Sequence, residues 1–472
     1  MAAAQPEMVT TRDAGIAAAL LPRDPLAPLA WLIVPLPVWW YLGLANLGWF
    51  IAAVPMAISL VSWRRWRLPP GFGWWLAFLL WLVLSVSMLP VNPAGTVAEG
   101  AGARVVPVLF RFAEYGSATV MMLWALNVDP VRVPAARLAR LLSLMLVWTV
   151  AGGLLGVIAP DFQVTSLMER LLPGGLLTNA YVLALVHPAA AQIQDVIGTG
   201  NGRPSAPFAY TNSWGNALGL LIPWAVAAAV LARTHAARTR WTVLVLAALV
   251  PTVLSLNRGL WIGLVIVIGF AVVRLLLTGR ELLGIACLGL AACVLVLVAV
   301  SPLGAVAEQR QTGDAPSDDI RGFSISRALQ LGDESPVLGY GGTRAQAGSQ
   351  DTIAVGKSPT CSNCGNLPIG TNGQLWFVIV GQGFLGAFFY LMFHLVLLRR
   401  FLASRNVLAT AGAATMVIAL WFSVVYDRTG PTGCLEFLAI GLAAKALLES
   451  ARAESPAEVV DRPDLRTTDA AP

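Results

Sequence analysis

The sequence is short of charge. Of its 472 residues, 12% are Asp, Glu, Lys or Arg, where a soluble domain carries roughly 25%. Lysine is nearly missing: Lys357 and Lys445 stand alone, so almost every cation is an arginine. Three histidines and five cysteines form no metal-ligand spacing. The one C-x-x-C, Cys361 to Cys364, has neither a second pair nor histidines and is half a zinc site. No G-x-x-x-x-G-K-S/T occurs, which argues against ATP hydrolysis. Residues 1–25 do not read as a cleavable signal, because Glu7, Arg12, Asp13, Arg23 and Asp24 surround only a short apolar run.

What is present is apolar length. Hydrophobic residues make up 57% of the chain, and many runs approach the roughly 20 residues that cross about 30 Å of hydrocarbon. The expected fold is all-α and polytopic, with about twelve spans: 27–42, 44–62, 72–90, 106–127, 140–160, 208–232, 241–256, 260–277, 282–302, 372–397, 406–426 and 432–448. Residues 1–448 would form one membrane domain and 449–472 a disordered cytoplasmic tail, rich in Pro, Asp, Arg and Ala.

The short basic connections "WRRWR", "VRVPAARLAR", "RTHAARTR", "TGR" and "RRFLASR" all fall on one side of these spans. With the termini they hold about twenty of the 31 basic residues, so that side is cytoplasmic, both termini included. The net charge of +6 follows from these loops and does not point to nucleic acid. The other side carries two long segments, about 161–207 and 303–371, and a short turn with Asn257 and Arg258. Loops of that length are usually functional. Arg203, Arg258, Arg310, Arg321, Arg327, Arg344 and Arg428 lie where topology disfavours them. An arginine costs about 2.5–3.5 kcal/mol at a helix centre, so this sidedness needs a reason.

Within the long segment, Ser317 and Asp318 are cap candidates for a short surface helix over about 318–332, stopped at "ESPVLGYGG". Arg321 and Arg327 are six residues apart and do not share its face, so Arg321 is the better candidate for a common site. Cys361 and Cys364 lie outside the cytosol, where a disulfide is the expected state. Plainer readings stand beside these. Arg258 can be a turn residue snorkelling to headgroups. Arg111 and Glu114, three apart inside one expected span, fit a buried ion pair that helps hold two helices together. His394 reads as packing, Cys287, Cys293 and Cys434 as apolar filling, and the tryptophans near span ends as an interfacial belt.

Four stretches resemble the O-antigen ligase and O-antigen polymerase superfamily. "SLNRGLWIGL" is similar to its S-x-S-R-G-x-W-x-x-L signature, and "ESPVLGYGG" to its sP-l-l-G-x-G element. "NGQLWFVIVGQGFLG" is similar to H-N-x9-G-x-x-G, with Gly383 and Gly386 in register; "GRPSAPFAYTN" resembles an arginine-to-asparagine element before a span. The likeness runs from about residue 200 to 430. It implies a bacterial inner-membrane glycosyltransferase of the broad GT-C type, working without a metal or other cofactor. Such an enzyme moves a glycan from a polyprenyl diphosphate (undecaprenyl diphosphate) to a glycan or glycolipid acceptor at the extracytoplasmic face.

Carried over, the resemblance makes Arg258 and Arg321 diphosphate ligands and Asn372 a catalytic position. Arg203, Asn212, Asn257, Arg327, Arg344 and Asp427 are substrate-binding candidates. Guanidinium forks suit a leaving diphosphate that gains charge. One departure matters: Asn372 stands where the family has histidine, and Gly373 where it has asparagine. Asparagine cannot take a proton, so a base must come from elsewhere, with Asp318, Asp319, Asp427, Glu114 and His187 as candidates. Ligase and polymerase share this donor chemistry and are not separated. A flippase for the same lipid-linked glycans is the alternative class, though no internal repeat of the transporter kind is visible.

Overall fold

The structure is a computed structural model describing residues 24–63, 65–195, 200–300, 304, 315–346, 367–428 and 430–454. It is mostly helical. The first expected span is two helices, α1 (Ala27–Ile33) and α2 (Leu36–Tyr41), because Pro35 interrupts the run. Then come α3 (Gly48–Ser62), α4 (Phe72–Ser85), α5 (Ala101–Asn127) and α6 (Ala135–Ile158). Three short helices, α7 (Leu167–Leu171), α8 (Gly174–Leu177) and α9 (Ala180–Val186), fill the first long outer segment. After α10 (Thr211–Val230), α11 (His235–Ala247) and α12 (Leu249–Leu254) share one expected span. The chain continues through α13 (Arg258–Leu277), α14 (Glu281–Val300) and α15 (Ala315–Glu334). It closes with α16 (Gln374–Leu402), α17 (Val407–Val425) and α18 (Pro431–Glu454).

Among the described residues, every expected span overlaps a helix, and six helical stretches are long and apolar enough to cross a membrane: 135–158, 211–230, 235–254, 258–277, 374–402 and 407–425. α14 leaves most of its leucines and valines exposed and packs chiefly on α13, as a helix bathed in hydrocarbon does. α15 matches the expected short helix. The last helix runs to Glu454, past the expected end at 448. Two small antiparallel sheets qualify the all-α expectation: β1 (Ala191–Asp195) with β2 (Gly200–Pro204), and β3 (Arg344–Gln346) with β4 (Leu367–Ile369).

The core is aromatic. Trp49, Trp75, Trp124, Trp214 and Trp224 are fully enclosed, which corrects the belt reading for Trp49 and Trp75. Trp75 is held inside because its ring meets Phe78, Phe393 and Phe437, and its indole donates to Thr119 Oγ1 at 2.9 Å.

Two of the sequence elements prove to be one structural unit. α16 breaks at Gly383, whose φ of 68° lies in the left-handed region. The break frees the carbonyls of Val380 and Gly381, and "SPVLGYGG" fills them: Tyr340 N donates to Val380 O at 2.9 Å and Gly341 N to Gly381 O at 2.7 Å. In return Leu385 N donates to Pro336 O at 3.3 Å. A Cβ at Gly383 would sit 2.5 Å from Pro336 O, and one at Gly339 (φ 61°) 2.5 Å from the Gly381 carbonyl carbon. The exchange satisfies backbone groups that a helix break would otherwise leave bare, and it lays the first part of α16 against the outer loop.

Candidate functional site

The ends of several helices meet beside this unit. Asn257 caps α13, its Oδ1 accepting from Leu260 N at 3.2 Å. The same Oδ1 accepts from the Tyr426 hydroxyl, and Asn257 Nδ2 approaches Asn212 Oδ1 at 3.5 Å in the first turn of α10. The backbone before the cap is strained: Leu256 holds a φ of 53°, a conformation a leucine rarely takes. Arg203, on β2, is buried and donates through Nε to Ser255 O at 2.7 Å; its carbonyl accepts from Thr211 Oγ1. Arg258 follows the cap as the half-buried first residue of α13.

Arg321 comes to this place from α15. It is close enough to act on the charge of both Arg203 and Tyr426. Burial pushes the Arg203 guanidinium down to about 10; Tyr426 pulls against that shift and Arg321 adds to it. Two cations drawn together favour an anion beside them. The starts of α10 and α13 add backbone N–H groups and the positive ends of their dipoles.

Tyr426 is followed at once by Asp427. Tyr426 is extended (φ −135°, ψ 142°), so the two side chains point to opposite sides. Asp427 is half-buried and lies within electrostatic reach of Arg111, Glu114 and Tyr210. Burial pushes its carboxyl up to about 6, Arg111 pulling it back. Arg111 pairs with Glu114 at 2.9 Å, as expected of them, and lies over the Phe377 ring at 3.7 Å. Glu114 also accepts from Gly430 N at 2.6 Å, so this pair braces the turn that carries Asp427.

The turn is clamped from the other side by Gln374. Its N–H donates to Tyr426 O at 2.8 Å, its Oε1 accepts from Arg428 N at 3.0 Å, and its Nε2 donates to the Tyr115 hydroxyl at 2.6 Å. Asn372 stands two residues before Gln374, half-buried at the entry to α16. Gly373 between them is packed so closely that a Cβ there would be 2.5 Å from Val424 O. Asn372 is thus held beside the same turn.

Other expected site residues sit elsewhere. Arg344 is buried, its guanidinium fanned across the carbonyls of Met88, Leu89, Val91, Tyr340, Gly342 and Thr343. Arg327 bonds Gln346, Gln330, Glu334 and the Ala94 carbonyl. Both tie the outer loop to the 88–94 turn. His187 is engaged by Glu169 at 2.8 Å and Gln163 at 3.1 Å. Arg428 pairs with Glu436, and His394, read from sequence as packing, completes that buried chain at 3.0 Å from Glu436. Asp318 and Asp319 fall on α15. Cys361 and Cys364 lie outside the described residues.

Sequence reading passed over Tyr426 and Gln374. The signal was adjacency: Tyr426 precedes Asp427 and Gln374 follows Asn372 by two, but neither carries a charge to draw notice. No match is found among curated proteins. The O-antigen ligase family model matches residues 242–360, the segment that supplies Asn257, Arg258 and Arg321. Over that segment the chain is similar to O-antigen ligases, which supports the resemblance to the O-antigen ligase and polymerase superfamily.

Proposed function

We propose that the protein transfers a glycan from a polyprenyl diphosphate donor to a glycan or glycolipid acceptor at the extracytoplasmic membrane face. It would act as a ligase or polymerase of the GT-C type, with about twelve spans and both termini cytosolic. The observation that carries this reading is that Arg203 and Arg321 lie within electrostatic reach of Tyr426, whose hydroxyl bonds Asn257 and which precedes Asp427. In this reading Arg321, Arg203 and Arg258 hold the diphosphate, with Asn257, Asn212 and Tyr426 placing it, while the polyprenyl tail lies among the spans.

The acceptor hydroxyl oxygen attacks the anomeric carbon. That bond forms as the carbon–oxygen bond to the diphosphate breaks, and the electron pair leaves with the diphosphate oxygen. The acceptor proton passes to Asp427, which takes the role the family gives to histidine, and Asn372 orients the acceptor. Guanidiniums fixed before the reaction stabilise the growing charge on the leaving group without reorganising. Arg327 and Arg344 are left to the scaffold.

The test uses purified protein in lipid with a polyprenyl diphosphate-linked glycan, comparing wild type with Arg258→Ala and Arg321→Ala. Release of the diphosphate carrier, lost in both variants at equal expression, is the expected result. Movement of the intact donor across the bilayer with no bond cleaved overturns the reading in favour of transport.

A further inference from the structure

A recess lies beside the turn that carries Asp427, with Gly430 and Pro431 in its wall. It is lined as well by Asn46, Phe50, Phe110, Tyr181, Tyr210 and Ser213. The rings form a continuous series: Phe50 meets Phe110 edge-on at 5.5 Å, Phe110 meets Tyr181 at 6.2 Å, and Tyr181 stacks on Tyr210 at 6.3 Å with 18° between planes. Asn46 Nδ2 donates to Leu185 O at 2.9 Å and so anchors α9, which carries Tyr181. Five separate parts of the chain supply this lining: the entry to α3, then α5, α9, the approach to α10 and the 430 turn.

We infer that this recess receives a hexopyranose ring of the acceptor, an assignment that rests on the transferase reading above. A pyranose presents an apolar face of C–H groups and a polar rim of hydroxyls. Aromatic faces match the first, and the two tyrosine hydroxyls with Asn46 and Ser213 match the second. Position selects the acceptor over the donor sugar. In a displacement the base stands at the attacking hydroxyl, on the far side of the reacting carbon from the leaving group. Arg203 and Arg321 act on Tyr426, whereas Asp427 lies within electrostatic reach of Tyr210 in the recess wall, so the ring in the recess is the one whose hydroxyl loses its proton. The recess is narrow, with Tyr181 and Tyr210 closed on one another. A ring enters by parting them.

The test is saturation-transfer NMR on the full chain in lipid nanodiscs, with the methyl glycosides of D-glucose, D-galactose and L-rhamnose as probes. At least one glycoside should receive saturation from wild type, with binding about tenfold weaker in Tyr181→Ala and Tyr210→Ala. Tyr181→Phe keeps the ring and should keep most of the signal; Arg321→Ala should keep all of it. In turnover, Tyr181→Ala should raise KM for the acceptor and leave KM for the donor in place. Silence of all three glycosides in a wild-type protein that binds undecaprenyl diphosphate overturns the recess, as does a KM rise confined to the donor. Carrier binding on the same samples reports separately on the parent reading: a wild-type protein that does not bind undecaprenyl diphosphate sinks the transferase proposal itself.

Discussion

Tyr426 donates its phenolic hydrogen to the side chain of Asn257, joining the end of α17 to the cap of α13. The two residues are 169 positions apart, yet one carbonyl oxygen of Asn257 serves both the helix cap and the phenol. This junction brings the segment that carries Arg258 to the turn that carries Asp427. It also explains the tightness at Gly259, where a Cβ would be 2.6 Å from the Tyr426 hydroxyl.

Replacing Tyr426 by Phe removes one hydrogen bond and keeps the ring. A net loss of about 0.5–1.5 kcal/mol is expected, read as up to about tenfold slower turnover with the fold intact. Asn257→Ala removes both bonds at once. It should slow turnover more, and it adds about 1 kcal/mol of lost capping, visible as a lower denaturation temperature. Equal turnover in Tyr426→Phe and wild type would count against the junction as part of the site.

Arg321 and Arg258 should not tolerate lysine. A diphosphate gripped by forked guanidiniums loses paired hydrogen bonds when a point charge replaces the fork. Loss of one such contact typically costs about 10²–10³ in rate, and Arg321→Lys should recover little of what Arg321→Ala loses. Steady-state turnover at matched expression checks this, and full rescue by lysine would mean that charge alone is read there.

Arg344 should behave in the opposite way. Its fan of bonds to six carbonyl groups makes it a tie between the 88–91 turn and the loop at 340–343. Arg344→Ala leaves buried carbonyls without donors, at about 1–3 kcal/mol for each left unsatisfied. Limited proteolysis should cut the outer loop faster in this variant. The surviving folded fraction should keep its affinity for undecaprenyl diphosphate. A selective loss of carrier binding in stable Arg344→Ala protein would return this arginine to the site.

The contrast between Arg321 and Arg344 shows what the sequence could tell. Hydropathy placed the helices because lipid-length apolar runs have few alternatives, and the charge bias gave each loop its expected side. Both arginines were flagged for being on the wrong side. Sidedness detects a cation that topology does not explain, but it cannot tell a guanidinium facing a ligand from one facing carbonyls. That difference depends on where the chain folds back, which local pattern does not encode. The same holds for Gly383 and Gly339. Each was legible as a motif, but their joint role, one loop repairing one broken helix, exists only in three dimensions. Ala at either position should lower thermal stability, since left-handed backbone costs a side chain about 1–2 kcal/mol before the clash with neighbouring backbone is counted.

Asp427 carries the pH dependence. Burial pushes its carboxyl from 3.8 up to about 6, against the pull of Arg111. If it takes the acceptor proton, only its ionised form works, so turnover should fall as pH drops through about 6 and level off above it. The stability consequence has the opposite sense. A raised pKa means the folded protein binds this proton more tightly than the unfolded chain. Stability from this group is therefore full below about 3.8 and is lost as pH rises to about 6. At neutral pH the ionised carboxylate is a cost to the fold, so Asp427→Asn should abolish transfer while leaving the denaturation temperature equal or higher. Asp427→Glu keeps a carboxylate and should retain part of the rate with a displaced acid limb. A wild-type profile flat between pH 5 and 7, or an active Asp427→Asn, would remove Asp427 from the chemistry and leave it a brace for the turn.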